Sequence, residues 1–135
     1  MRVQIPYTPR PLQAELHKNL DQYRFAVLSC LRRFGKSVAI INHLIRAALT
    51  HKMKNPRFAY IAPTYKQAKS IAWDYMKMFA GGIPGVKFNE TELRCDMPNG
   101  SRITLLSSEQ PDSLRGLFLD GVCIDEVAQI DPRLW

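Results

Sequence analysis

Three things are scarce in this chain of 135 residues. No apolar stretch approaches the roughly 20 residues that cross a bilayer, and no secretory leader opens the chain, so it reads as soluble, intracellular and without a membrane partner. Cysteine is sparse. Cys30, Cys95 and Cys123 are odd in number, widely spaced and mostly inside apolar runs, so neither a disulfide framework nor a zinc site follows, and buried free thiols are expected. Acidic residues are nearly missing from the first half. Up to Lys69, thirteen Lys and Arg face only Glu15 and Asp21, a net of +11; from Ser70 onward six basic and ten acidic residues give −4, which together make the chain's +7. A basic half suits a polyanion, either nucleic acid or the phosphates of a nucleotide. His17, His43 and His51 have no metal-binding spacing and read as helix or surface residues. No repeat, low-complexity tract or linker interrupts the chain. At 46% hydrophobic it can bury a core, as one domain or as a piece of a larger one.

What is present is an alternation of helix and strand signals. Gln13 to Tyr23 carries Leu16 and Leu20 at helical spacing after a Pro-rich start. Arg24 to Ser29 is expected to be a short buried strand. The apolar residues from Val38 to Leu49 predict a largely buried helix, Lys52 to Arg57 a basic connection, and Phe58 to Ala62 a strand stopped by Pro63. Tyr65 to Ala80 predicts a helix ended by Gly81-Gly82. Shorter pieces follow at Val86–Phe88 and Glu92–Met97, then a Pro98-Asn99-Gly100 turn into Ser101–Leu106, a hairpin signal. A last strand runs from Gly121 to Ile124. This order predicts a mainly parallel sheet with flanking helices and an antiparallel insertion. Trp73 and Trp135 are expected in core or edge packing and not as base-stacking platforms.

Two motifs carry chemistry. Gly35-Lys36-Ser37 follows an apolar run and opens a helix, where backbone N–H groups and the helix dipole favour an anion. The full phosphate-loop pattern begins with glycine; here Cys30 stands at that position, which weakens the match. The lysine for the β/γ-phosphates and the hydroxyl for Mg²⁺ remain. A strand–turn–helix corner that merely tolerates the tripeptide is the plainer alternative. Arg32 and Arg33, in the same turn, repel each other unless an anion lies between them, or else they are solvated surface arginines. The second motif is Asp125-Glu126 after the apolar Val122-Cys123-Ile124. Neighbours in an extended segment face opposite ways, so one carboxylate can hold a Mg²⁺ shell while the other orients or deprotonates water. An acidic helix start is the alternative.

With these motifs the chain resembles the ATPase domain of the large terminase subunit of tailed bacteriophages. The resemblance rests on Tyr7-Thr8-Pro9-Arg10-Pro11-Leu12-Gln13, on the arginine-bearing loop with Arg32, Gly35, Lys36 and Ser37, on Tyr60 to Ala68, and on Ser113-Leu114-Arg115-Gly116 followed by Asp120 to Ala128. It implies a P-loop NTPase of the ASCE/RecA-like type that uses ATP and Mg²⁺. It implies that Tyr7, Arg10 and Gln13 recognise adenine, that Arg32, Arg33, Phe34, Gly35, Lys36 and Ser37 bind phosphates, and that Ser37 and Asp125 hold the metal. Glu126 would be the base, Arg32 would act in cis on the γ-phosphate, and Arg115 would reach into a neighbouring subunit. Plainer roles stay open: a helix-cap and surface loop for the adenine segment, and for Arg115 a turn residue held by Asp112 or Asp120. The implied partners are double-stranded DNA, the portal protein, the small terminase subunit and further copies in a homo-oligomeric ring, in the host cytoplasm.

The family's coupling segment and nuclease domain have no counterpart in residues 1–135, so the chain is expected to be the N-terminal part of a P-loop ATPase domain, its sheet incomplete at the C-terminal side. A helicase-type translocase shares the glutamine segment and the Asp-Glu pair. A nucleotide-binding module without turnover is the third reading.

Overall fold

Residues 3–29, 35–109 and 114–130 are described by the computed structural model. Val3, Ile5 and Tyr7 alternate inward along an extended N-terminal segment and pack on the core. Helix α1 (Pro11–Gln22) starts on a proline, which is tolerated there because the first-turn N–H has no helical partner anyway. The residues α1 buries are Gln13 and His17, one turn apart, while Leu16 and Leu20 are only half-buried.

The strand expected over Arg24–Ser29 is not formed. The segment pairs with no strand, Phe25 is 83% exposed and Val27 wholly exposed. An apolar run becomes a strand only when its backbone groups pair along an edge, and this segment pairs along none.

Helix α2 (Lys36–Thr50) buries Ala39, Ile41, Asn42, Leu44, Ile45 and Ala48. Asn99 closes its far end, its side-chain amide donating to the Ala48 carbonyl at 2.9 Å. Strand β1 (Arg57–Ala62) leads to Thr64, whose hydroxyl accepts from the Gln67 N–H at 3.1 Å and starts the next helix. That helix is continuous over the expected range but widens midway. Helix α3 (Tyr65–Gln67) passes through a π-helical turn (Ala68–Ala72) into α4 (Trp73–Ala80).

Strands β2 (Lys87–Asn89), β3 (Arg94–Asp96), β4 (Arg102–Ser107) and β5 (Gly121–Ile124) complete a sheet in the order β2-β3-β4-β1-β5. It is mixed: β1 runs parallel to β4 and β5, whereas β3 is antiparallel to both β2 and β4. The parallel ladders on β1 are the longer ones, and the antiparallel part is the β2–β3 hairpin with its junction to β4. β5 is an outer strand. Its first residue, Gly121, lies under the Phe58 ring, where a Cβ would sit 2.7 Å from the ring carbon.

Phe58, Tyr60 and Ala62 on β1 share one face with Ile103 and Leu105 on β4, and both meet α2, Trp73, Met76 and Phe79 in a single cluster. Complete burial of one large apolar side chain is worth roughly 1.5–3 kcal/mol, against about 0–1 for an exposed ion pair such as Arg46–Asp21. The cluster therefore holds the sheet to the helices. Cys95 is buried and Cys123 half-buried; burial first, with Asp96 and Asp125 adding, pushes each thiol up to about 12, so both stay protonated. Cys30 and Trp135 lie outside the described residues.

Candidate functional site

The parity of β5 decides where the carboxylates go. Cys123 pairs with Tyr60 and faces the helix-covered core. Asp125, two residues later, falls on the same face, and its N–H donates to the Ile61 carbonyl at 3.0 Å, which extends the ladder by one step. On that face it meets the start of α2. Lys36 Nζ lies 2.8 Å from Asp125 Oδ1, and Ser37 Oγ donates to Oδ2 at 3.3 Å. The Tyr60 hydroxyl also donates to Oδ2, and the Glu126 N–H donates to Oδ1 at 2.9 Å. One carboxylate thus accepts from four donors, two per oxygen.

The Asp125 side chain is 13% exposed and that of Lys36 33%. Burial alone would push the Asp125 carboxyl up. The hydrogen bonds from Lys36 and Tyr60, the Lys36 charge and the Glu126 N–H outweigh it and hold the carboxyl below its ordinary range. Burial first, and then the bond to Asp125, raises the Tyr60 phenol far above its ordinary value, so Tyr60 keeps its proton and can donate. At neutral pH the cluster is an ammonium, a carboxylate and two hydroxyls.

Gly35 sets the approach to α2. It has φ +80°, and a Cβ there would lie 2.3 Å from Arg10 Nη2 and 2.6 Å from Gln13 Nε2. Gln13 is 4% exposed; its Oε1 accepts from the Arg10 N–H at 2.9 Å and its Nε2 donates to the Gly35 carbonyl at 3.0 Å. The starts of α1 and α2 are clamped together through one amide. Gly35 brings no capping side chain and the first turn of α2 has no acidic residue, so this fifteen-residue helix opens on N–H groups and positive dipole charge.

Tyr7 sits apart from this cluster. Its hydroxyl is 2.8 Å from His17 Nε2 and its ring meets Phe79 edge-on. His17 in turn stacks on His43, with their Nδ1 atoms 3.0 Å apart. Tyr7, His17, Asn42 and Arg46 help line a cavity of about 710 Å³ whose walls include none of Lys36, Ser37, Asp125 or Glu126. The convergence of charged groups, not this cavity, marks the site.

Glu126 takes a left-handed conformation, φ 50° and ψ 54°, and turns its carboxylate away from the cluster to Gln67, whose Nε2 lies 3.4 Å from Oε2. Thr64 in turn holds Gln67. Arg115 is exposed in the turn before Gly116. Asp120, one of its expected partners, accepts from the Arg57 N–H at 2.8 Å; the other, Asp112, and Arg32, Arg33 and Phe34 lie outside the described residues. Of the predicted site residues, the structure therefore gathers Arg10, Gln13, Gly35, Lys36, Ser37 and Asp125. Tyr60 and Gln67 went unassigned in the sequence. The available signal for Tyr60 was a tyrosine in an apolar run, whose buried hydroxyl requires a partner.

A mixed five-stranded sheet with helices, and a lysine and serine at a helix start facing a strand-end aspartate, make this an α/β domain. It is similar to the large terminase ATPase domain of Thermus phage P74-26, with a TM-score of 0.69 and 26% identity over 97% of this chain and 58% of that one. Residues 31–132 match the family described as terminase large subunit, T4likevirus-type, N-terminal, and the chain belongs to that family. No curated protein sequence matches it. Among the described residues, no helix is long and apolar enough to cross a membrane.

Proposed function

We propose that this chain is the ATP-hydrolysing part of a phage DNA-packaging motor, coupling ATP hydrolysis to movement of double-stranded DNA into the capsid. The observation that carries the reading is the meeting of Lys36 and Ser37 with Asp125, 88 residues further along the chain. Membership of the terminase large subunit family supports it. In this reading residues 1–135 form the N-terminal part of a P-loop ATPase domain. Double-stranded DNA, the portal protein, the small terminase subunit and a ring of copies are the partners.

The residues fit a magnesium nucleotide. Ser37 and Asp125 offer oxygen donors only, and no cluster of three or more His, Cys, Asp or Glu among the described residues could hold a metal alone. Mg²⁺ is commonly held by one or two protein oxygens together with substrate phosphates. When bound, it would neutralise phosphate charge and orient the transferred group. Lys36 would move its ammonium from Asp125 to the β/γ-phosphates, an exchange of one anionic partner for another. The helix start, Gly35, Arg33 and Phe34 would cradle the phosphates, and Arg32 would act in cis on the γ-phosphate. Glu126, already turned away from Asp125, would accept the proton of the attacking water. Gln13 and Arg10, with Tyr7 behind them, would bound the adenine side, and Arg115 would reach a neighbouring subunit's site.

Two variants of the full-length protein test this. Lys36→Ala is expected to abolish ATP binding, read by titration with a fluorescent nucleotide. Glu126→Gln is expected to keep binding and lose phosphate release, since the amide preserves shape but takes no proton. Unchanged affinity in the first variant refutes the phosphate assignment. Tight binding by the wild-type protein without phosphate release identifies a module without turnover.

A further inference from the structure

We infer that Tyr60 is the positioning residue for Asp125, holding Oδ2 in place while Lys36 and Ser37 change partners. The inference rests on the nucleotide reading above and adds a residue to it. Its basis is the unequal mobility of Asp125's four donors. Lys36 has a flexible four-carbon stem and a third of its side chain in solvent. Ser37 has a freely turning hydroxyl. Both sit at the helix start, where a magnesium nucleotide would draw them away.

The other two donors cannot leave. The Glu126 N–H belongs to the backbone that follows β5. The Tyr60 ring is 3% exposed in β1, whose edges are both occupied, by β4 and β5. Its neighbour Cys123 packs against the same cluster, so the ring is held among packed side chains. Once Lys36 turns to phosphate and Ser37 to the metal, each Asp125 oxygen keeps one donor, Glu126 N–H on Oδ1 and Tyr60 on Oδ2. The carboxylate plane stays fixed, and the lone pairs released face the start of α2. Without the phenol, Oδ2 depends on Ser37 alone, the carboxylate can rotate, and its pairing with Lys36 competes with the incoming metal.

The test is a Mn²⁺ titration of the full-length protein with a non-hydrolysable ATP analogue, reading free Mn²⁺ by electron paramagnetic resonance. Tyr60→Phe keeps the buried ring and removes only the donor. Hydrogen bonds to charged groups predict about a ten-fold weaker Mn²⁺ affinity, with analogue affinity in EDTA within about two-fold of wild type. Equal Mn²⁺ affinity in the variant overturns the inference. So does an equal loss of analogue affinity in EDTA, which assigns Tyr60 to general packing. A wild-type protein that binds no Mn²⁺ beyond that held by free analogue overturns the nucleotide reading itself, and this inference with it. Should Tyr60→Phe not fold, 3-fluorotyrosine installed at position 60 keeps the ring and makes the phenol a stronger donor. Tighter Mn²⁺ binding is then expected, and unchanged binding refutes the role.

Discussion

Asp125→Asn isolates the electrostatics of the site without changing its shape. The amide must place its NH₂ group on one side. Toward Lys36 and the Glu126 N–H it would oppose two obligate donors, whereas toward Tyr60 and Ser37 it meets hydroxyls that can turn to accept. The second orientation is expected, so the main loss is the charge that Lys36 pairs with. A hydrogen bond to a charged group contributes about 1.5–3 kcal/mol, and the partial exposure of Lys36 trims this toward the surface value. About 2 kcal/mol of stability should therefore be lost at pH 7, or roughly 6–10 °C in thermal midpoint for a domain of this size. The sign with pH is fixed. The folded-state carboxyl is held below its unfolded value, so its stabilisation is complete above that value and is lost as pH falls through the lower one. Urea unfolding of both proteins from pH 7 downward should show the gap narrow once pH falls below the unfolded carboxyl value of about 3.9. Equal stability at pH 7, or a gap that stays constant over the whole range, would refute the four-donor account of Asp125.

Gly35→Ala should lower both stability and nucleotide affinity, because φ +80° costs a residue with a Cβ roughly 1–2 kcal/mol and the new methyl displaces Arg10 and Gln13; a thermal melt with a nucleotide titration checks it, and unchanged values would mean the α1–α2 clamp is slack. Burial first, then the neighbouring His17 and Arg46, brings the His43 imidazole down to about 4, so the folded state resists its protonation. Stability from this group is complete above the unfolded value of about 6.5 and is lost as pH falls toward 4. His43→Asn should flatten that limb of the pH–stability curve, and a curve identical to wild type would place the acid sensitivity elsewhere. Arg115→Ala should reduce ATPase activity only where subunits assemble. Mixing it with Lys36→Ala subunits should restore part of that activity, since some interfaces then pair an intact site with an intact arginine; no recovery on mixing would remove the trans role.

The sequence by itself determined the elements whose signals are local. Gly35-Lys36-Ser37 opens α2, Pro98-Asn99-Gly100 turns the chain into β4, and Gly121 to Ile124 forms β5 at the expected bounds. Turn chemistry and helix starts depend on a few neighbouring residues, so they are legible without the fold. Asp125 could likewise be expected at one site with Lys36, because the two motifs read as halves of a single nucleotide site. The rest needed the tertiary structure. Phe25 and Val27 look like strand residues, yet pairing depends on docking to an edge, which no local pattern encodes, and the segment pairs with none. Gln13 and His17 take the buried side of α1 over Leu16 and Leu20 because a buried amide is worth its place only when Arg10 and Gly35 meet it. Tyr60 reads as one more apolar strand residue until β5 is laid beside β1. Only that register brings its hydroxyl to Asp125, and a contact between residues 65 positions apart is set by topology, not by the sequence around either one.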